Sequence, residues 1–157
     1  MKKFIEFLIE SKKQTYANGN ALKTNSTRKG SNDYEFFKVI DDTKFVYHDT
    51  YFGGTNFIGE EVVYENEKPF WAMNYYGITI DNELSEKAID FALRPALMKV
   101  GEDFLVLPLR GPSIFENNGF KYTFESNGTI DSFSGIEEIY KGKKLVYKLV
   151  CNGGKIK

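Results

Sequence analysis

Short turns between strand-like runs limit the possible fold of this chain more than any other feature of its sequence. The first four runs cover residues 34–39, 45–51, 57–64 and 70–77. Polar or glycine pairs separate them at Asp41-Asp42, Gly53-Gly54 and Asn66-Glu67. Connections this short join antiparallel neighbours, because parallel strands need a crossover of about a dozen residues or more. The sequence therefore predicts an antiparallel β-meander.

Helical patterns precede the meander and follow it. Residues 3 to about 15 are predicted to form an amphipathic helix on a sheet. Its apolar residues at helical spacing are Phe4, Ile5, Leu8 and Ile9. Asp81 or Asn82 can cap a second helix, which Pro95 is expected to end or kink. The apolar residues of that helix are Leu84, Ala88, Phe91 and Ala92.

Strand-like runs return after the second helix. They cover residues 104–107, 120–126, 130–134, 136–140 and 145–151. The order of elements along the chain is therefore helix, strands, helix, strands. This order predicts an α+β fold in which two main helices accompany one or more antiparallel sheets.

The second group of strands repeats a motif of the first. Residues 57–64 and 133–140 share the pattern F-x-G-x-E-x-(V/I)-Y at an offset of 76 residues, and the match continues without a gap to Gly77 and Gly153. Two alternating hairpins can align by chance. Because the offset is close to half of the chain, we expect an internal duplication of a helix-plus-β-meander unit. The prediction is one domain of residues 1–157 with pseudo-repeats at about 1–80 and 81–157.

Each copy of the motif places one carboxylate on an apolar strand face. Alternate residues of a strand point to the same side, so Glu61 shares a face with Phe57, and Glu137 shares one with Phe133. A buried carboxylate is costly unless it is paired or hydrogen-bonded. Glu61 and Glu137 are therefore either satisfied structurally, by a tyrosine, a backbone amide or an arginine, or exposed in a cavity.

Further polar and aromatic residues suggest a ligand site between the repeats. Asn74 lies in a strand predicted to be central, where a side-chain amide needs partners. Arg110 places a cation beside a tight turn, where it suits a ligand carboxylate or phosphate, or a bridge to a glutamate. The polar segment of residues 17–33 is predicted to be a mobile loop that gates the cleft. The predicted ligand-binding residues are Tyr51, Glu61, Trp71, Asn74, Tyr76, Arg110 and Glu137.

Composition argues against several classes of function. The 21 basic and 22 acidic side chains give a net charge of −1 with no long block of either sign, so direct nucleic-acid binding is not expected. One cysteine, Cys151, and one histidine, His48, predict no metal site and no disulfide. No cofactor is predicted. No run approaches the roughly 18 apolar residues that span a bilayer, and the cysteine usage favours a reducing, cytoplasmic location.

Several short strings together resemble a known bacterial family, the domain of unknown function 5680. They include Y-F-G-G at 51–54, M-N-Y-Y-G at 73–77 and R-G-P at 110–112, and the resemblance extends from the first helix to Gly154. Members of that family occur alone and as the C-terminal part of Xre-type helix-turn-helix regulators, which implies a sensing or interaction role without an assigned activity. Where members often carry His-Gly-Gly, this chain has Asn152-Gly153-Gly154, so no role of that histidine carries over.

Three functions remain open at this point. The leading hypothesis is a non-catalytic domain that binds or senses a small molecule. The second is a hydrolase- or isomerase-type enzyme in which Glu61 and Glu137 act as general acid and base. The third is a protein-interaction domain, monomeric or homodimeric, that binds through a sheet edge or an aromatic patch.

Overall fold

One antiparallel sheet of eight strands forms the centre of the computed structural model, which describes residues 1–157. The first meander consists of β1 (Asn32–Ile40), β2 (Thr43–Gly53), β3 (Asn56–Glu65) and β4 (Lys68–Thr79). The second consists of β5 (Ile114–Asn117), β6 (Phe120–Thr129), β7 (Ser132–Lys141) and β8 (Lys144–Lys155). The strand order is β1-β2-β3-β4-β8-β7-β6-β5, so the meanders join through β4 and β8. The antiparallel prediction is confirmed.

Turns with left-handed backbone close three of the hairpins. The φ angles are 46° and 63° at Asp41 and Asp42, and 48° and 68° at Asn66 and Glu67. Between β5 and β6 the pair is Asn118 and Gly119, with φ of 50° and 73°. Two consecutive positive φ angles are typical of type I′ turns, whose twist matches that of the strands they join. The turn positions predicted at Asp41-Asp42 and Asn66-Glu67 are therefore confirmed, and at the third position Gly53 ends β2 and Gly54 lies in the loop that follows.

Two strand predictions in the second half were wrong. Residues 104–107 form turns rather than a strand, because Asp103 accepts the N–H of Leu105 in an Asx turn. The runs 130–134 and 136–140 belong largely to the single strand β7. Gly135, which suggests a break in the sequence, lies inside that strand. The position requires a glycine, because a Cβ there would come within 2.8 Å of the Phe124 ring.

Helices cover one face of the sheet, which we call the front face. Helix α1 (Lys2–Gln14) confirms the first helix prediction. Its buried residues lie at positions i, i+3, i+4, i+7 and i+8, and are Phe4, Phe7, Leu8, Ser11 and Lys12. Lys12 therefore belongs to the stripe that faces the sheet. None of the helices has the length and apolar composition that a membrane-spanning helix requires.

The second helix has three consecutive parts. These are α2 (Ser85–Ala88), a π-helical turn (Ile89–Leu93) and α3 (Arg94–Leu97). Pro95 has no N–H to donate to the carbonyl of Phe91, and that carbonyl instead accepts a hydrogen bond of 2.9 Å from Asn117 Nδ2. The N–H of Arg94 donates to Ile89. The chain thus stays helical through the proline to Leu97.

The opposite surface, which we call the back face, is largely open over the four central strands. Four exposed apolar side chains form one row across β3, β4, β8 and β7, because their positions pair in register: Ile58, Tyr76, Val150 and Ile136. The next row is polar. The large core side chains, among them Tyr47, Trp71, Tyr122 and Leu149, lie on the front face under the helices.

Candidate functional site

A cavity of about 360 Å³ lies between the front face of the first meander, the end of α1 and the second helix. This volume falls within the range of known small-molecule sites. Five aromatic side chains contribute to its wall: Tyr16, Tyr47, Tyr51, Phe57 and Tyr75. The cavity therefore offers apolar contact area around the charged groups of its wall.

Two carboxylates on adjacent strands form the polar centre of this cavity. Asp49 of β2 and Glu61 of β3 are cross-strand partners, and both point to the front face. They are only 4% and 3% exposed. Like charges directly opposite each other destabilise a sheet. The pair therefore needs neighbours that compensate for it.

Compensation comes from a helix and from the next strand. Lys12 Nζ of α1 donates to Glu61 Oε2, which forms a buried salt bridge. The hydroxyl of Tyr75 in β4 donates to Asp49 Oδ1 at 2.6 Å. Gly59 makes this approach possible, because a Cβ at its position would lie 2.5 Å from the Tyr75 hydroxyl oxygen. Glu61 thus has a cation as its partner, whereas Asp49 has a neutral donor.

The environment of Asp49 makes it a group that titrates near neutral pH. Burial, followed by the nearby carboxylate of Glu61, raises the pKa of Asp49 to about 7, although Tyr75 and Lys12 act in the opposite direction. Burial and the Asp49 carboxylate also raise the pKa of Tyr75 well above its usual range. Tyr75 therefore remains a hydrogen-bond donor at any physiological pH.

Two buried polar atoms of the cavity wall have no hydrogen-bond partner in the chain. One is Oγ1 of Thr79, a residue that is 7% exposed. The other is Nε of Arg94, whose guanidinium lies 5.3 Å from the centroid of the Tyr16 ring. Buried polar groups in folded proteins are nearly always hydrogen-bonded. Both atoms have almost no accessible surface, so neither is open to the cavity.

The second glutamate of the repeated motif lies in a different environment. Glu137 is 0% exposed and does not line the cavity. Arg110 donates to both of its oxygens at 2.9 Å, through Nε and Nη2. The hydroxyls of Tyr122 and Tyr147 donate to it at 2.7 and 2.9 Å. Four hydrogen bonds satisfy this carboxylate, which is the structural alternative that the sequence left open.

The model of a protein family described as a domain of unknown function (DUF5680) matches residues 49–156. The chain belongs to this family. No curated protein and no solved structure gave a match. The family match includes Asp49, Glu61 and Tyr75, whereas Lys12 precedes it. The charged centre of this DUF5680 domain is thus completed by a residue outside the matched range.

Three of the seven predicted ligand-binding residues line the cavity of the DUF5680 domain: Tyr51, Glu61 and Arg110. Trp71 is buried in the core, where its Nε1 donates to the carbonyl of Ile130 at 2.9 Å. Asn74 and Tyr76 lie exposed on the back face, because side chains alternate along β4. Glu137 lies behind Arg110.

The two glutamates proposed as an acid–base pair are not neighbours. The strands of Glu61 and Glu137 are separated by β4 and β8, so they lie about 14 Å apart at the usual strand spacing. The carboxylates that the fold brings together are Glu61 and Asp49. A signal for Asp49 was present, because it alternates with Tyr47 and Tyr51 on one strand face.

The segment of residues 17–33 lies mainly away from the cavity. Only Ala17 lines it. Thr27 and Ser31 donate hydrogen bonds to the buried carboxylate of Asp33, on the side of the sheet that Thr50 also faces. Burial raises the pKa of Asp33, but these hydrogen bonds outweigh burial and hold the pKa below its usual range. The polar part of this segment is therefore anchored to Asp33 instead of covering the cleft.

Proposed function

We propose that this DUF5680 domain is a non-catalytic module that binds a small molecule in the cavity. The observation that carries the proposal is the pair of buried carboxylates, Asp49 and Glu61, that lie directly opposite each other in the wall of a 360 Å³ cavity. Like charges directly opposite each other destabilise a sheet. A ligand whose polar group contacts these carboxylates would offset this cost, and the aromatic wall would contact its apolar part.

A sensing role is supported by the family resemblance seen in the sequence. Fusion of related domains to Xre-type regulators implies that ligand binding is read by an attached or interacting protein. The cytoplasmic location expected from the single cysteine is compatible with a metabolite as the ligand. In this proposal the domain reports the presence of the molecule and does not convert it.

We also infer that the two halves descend from one duplicated unit. In support, β3 and β7 begin 76 residues apart, at Asn56 and Ser132, and β4 and β8 begin 76 residues apart, at Lys68 and Lys144. Register shifts also occur at equivalent places, after Val63 in β3 and after Ile139 in β7. In this view the motif glutamates diverged. The first stayed beside a cavity, and the second acquired a buried arginine.

Ligand binding can be tested with a thermal-shift screen of a metabolite library, because a molecule that binds only the folded state raises the melting temperature. A Gly54→Trp variant is expected to abolish the shift caused by any true cavity ligand. Gly54 lines the cavity, its φ is not positive, and a Cβ there meets no atom within 4 Å. The indole can therefore occupy the opening without backbone strain.

A matched control adds the same side chain elsewhere. Lys143 is exposed in the turn between β7 and β8, so Lys143→Trp should leave the ligand-induced shift unchanged. A screen with no stabilising compound would count against the proposal. So would a compound that stabilises the wild type and the Gly54→Trp variant equally, because it would bind outside the cavity.

Acid–base catalysis is a second candidate, favoured by one observation. Asp49 has a pKa of about 7 and lies directly opposite Glu61, so one carboxyl group can hold a proton while the other is ionised. The two candidates differ in the fate of the ligand. Incubation of an identified ligand with the protein, followed by mass spectrometry and NMR, should return it unchanged if the domain only binds. Conversion that Asp49→Asn abolishes would establish an enzyme.

A further inference from the structure

We propose that the ligand carries a cationic group, such as a primary ammonium, that binds between the carboxylates of Asp49 and Glu61. This inference rests on the proposed binding function and names the chemical class of the ligand. It is carried by the balance of buried charge on the front face and by the free oxygens of the two carboxylates.

The buried charges on the front face do not balance. The buried carboxylates under the helices are Asp49, Glu61 and Glu137, and the buried basic side chains there are Lys12 and Arg110. Glu137 is paired with Arg110, and Glu61 is paired with Lys12. Asp49 has no cation of its own. Buried charges are stable only when paired, so an ionised Asp49 lacks one positive partner.

Hydrogen bonding points to the same place. Tyr75 donates to Oδ1 of Asp49, and Lys12 donates to Oε2 of Glu61. The second oxygens, Asp49 Oδ2 and Glu61 Oε1, receive no hydrogen bond from a side chain, and neither is among the inaccessible atoms that lack a partner. Both residues line the cavity, so these two oxygens are open to it. A primary ammonium has three donors and no acceptor. It can therefore contact both free oxygens at once, and the neighbouring tyrosine rings favour a cation.

The other groups around Asp49 do not supply the missing charge. Lys12 of α1 is paired with Glu61, and Arg110, after the second helix, is paired with Glu137. Arg94 of the second helix also lines the cavity, but its guanidinium lies against the Tyr16 ring and its ion partner is Asp90. The remaining ionisable groups that face Asp49 are tyrosines whose raised pKa values keep them neutral, namely Tyr34, Tyr47, Tyr51 and Tyr75. A ligand cation would thus occupy a position that no side chain of the fold fills.

Three probes of nearly equal size separate the ligand classes. Benzylamine, benzyl alcohol and benzoate share one ring and differ in the charge of the attached group. Isothermal titration calorimetry near neutral pH should give at least about tenfold tighter binding of benzylamine than of the other two, equivalent to about 1.4 kcal/mol. Gly54→Trp should remove benzylamine binding, since the cavity would be closed.

Proton release provides a readout specific to Asp49. At about pH 6 the buried carboxyl group is mostly protonated, so binding of an ammonium should expel up to about one proton per molecule bound. Titration in two buffers of different ionisation enthalpy measures that number. Asp49→Asn should lose both the proton release and the preference for benzylamine, whereas Asp42→Asn, in the exposed β1–β2 turn, should retain both.

These experiments separate an error in the ligand class from an error in the proposed binding function. Failure of benzylamine to bind at millimolar concentration, tighter binding of benzoate or benzyl alcohol, or unchanged benzylamine binding in Asp49→Asn would each overturn the ammonium inference. If benzoate or benzyl alcohol binds the wild type and Gly54→Trp excludes it, the cavity is still a ligand site. In that case the proposed function stands, and only the ligand class is wrong.

Discussion

Replacing Glu137 with alanine is expected to lower the free energy of unfolding by roughly 3–5 kcal/mol. The substitution leaves Arg110 as an unpaired cation in a position that is only 7% exposed. It also removes the acceptor for the hydroxyls of Tyr122 and Tyr147. Urea unfolding of the wild type and the variant, followed by circular dichroism, measures the difference directly.

The adjacent residue provides the control for this substitution. Glu138 follows Glu137 in β7 but points to the back face, where Lys148 and Tyr140 are its partners and its side chain is 22% exposed. Glu138→Ala is expected to cost about 1 kcal/mol or less, because partly exposed ion pairs contribute little. Equal losses in the two variants would contradict a structural role that is specific to the Glu137 network.

Replacing Asp49 with asparagine is expected to change how stability depends on pH. Folding raises the pKa of Asp49 from 3.8 to about 7. Between these values the folded chain binds more protons at this residue than the unfolded chain does, so this group lowers stability as pH rises. The destabilisation by Asp49 is absent below about pH 4 and complete above about pH 7, where it lowers the free energy of unfolding by on the order of 4 kcal/mol.

Asp49→Asn removes this titration. The stability of the variant relative to the wild type should therefore increase by a few kcal/mol between about pH 4 and about pH 8. Urea unfolding at several pH values gives the difference curve, and Asp42→Asn in the exposed β1–β2 turn controls for the change of an aspartate to an amide. A flat difference curve for Asp49→Asn would mean that Asp49 titrates in the folded chain as it does in the unfolded one.

Local chemistry explains which parts of the fold were predictable. The turns at Asp41-Asp42 and Asn66-Glu67 need two left-handed residues, and aspartate and asparagine adopt that conformation more readily than most residues. The existence of α1 follows from helical spacing, but its buried stripe contains Phe7, Ser11 and Lys12 instead of the expected Ile5 and Ile9. The partner of Glu137 was also within reach, because a buried carboxylate requires compensation and an arginine was among the candidates.

The pairing of Asp49 with Glu61 could not be predicted, because it depends on the register of one hairpin. In the structure Gly53 pairs with Phe57, so three residues form the loop between β2 and β3. A two-residue turn would shift this register by one position, and a shift of one residue moves the opposing side chains to the other face. Gly53 suits the observed loop, because its φ is 94° and a Cβ there would lie 2.1 Å from the carbonyl oxygen of Asn56, but a glycine pair is also compatible with a two-residue turn.

The role of Lys12 could not be predicted from the sequence, for a related reason. In the sequence it resembles an exposed end of an amphipathic helix, flanked by Lys13. Only the angle at which α1 crosses the sheet brings its Nζ to Glu61. That angle is set by contacts between residues far apart in the chain, such as the ring of Phe4 against those of Phe70 and Trp71. Helical spacing is compatible with a buried Lys12, eight residues after Phe4, but it does not identify Glu61 as the partner.

Lys12 lies in a helix and not in the sheet, so a movement of that helix would change the charge of the site. The sheet carries both carboxylates of the cavity, and α1 carries the cation that neutralises Glu61. If the end of α1 moved away from the sheet, the positive charge would leave and the cavity would open in the same movement. The position of α1 and the charge of the site would therefore change together.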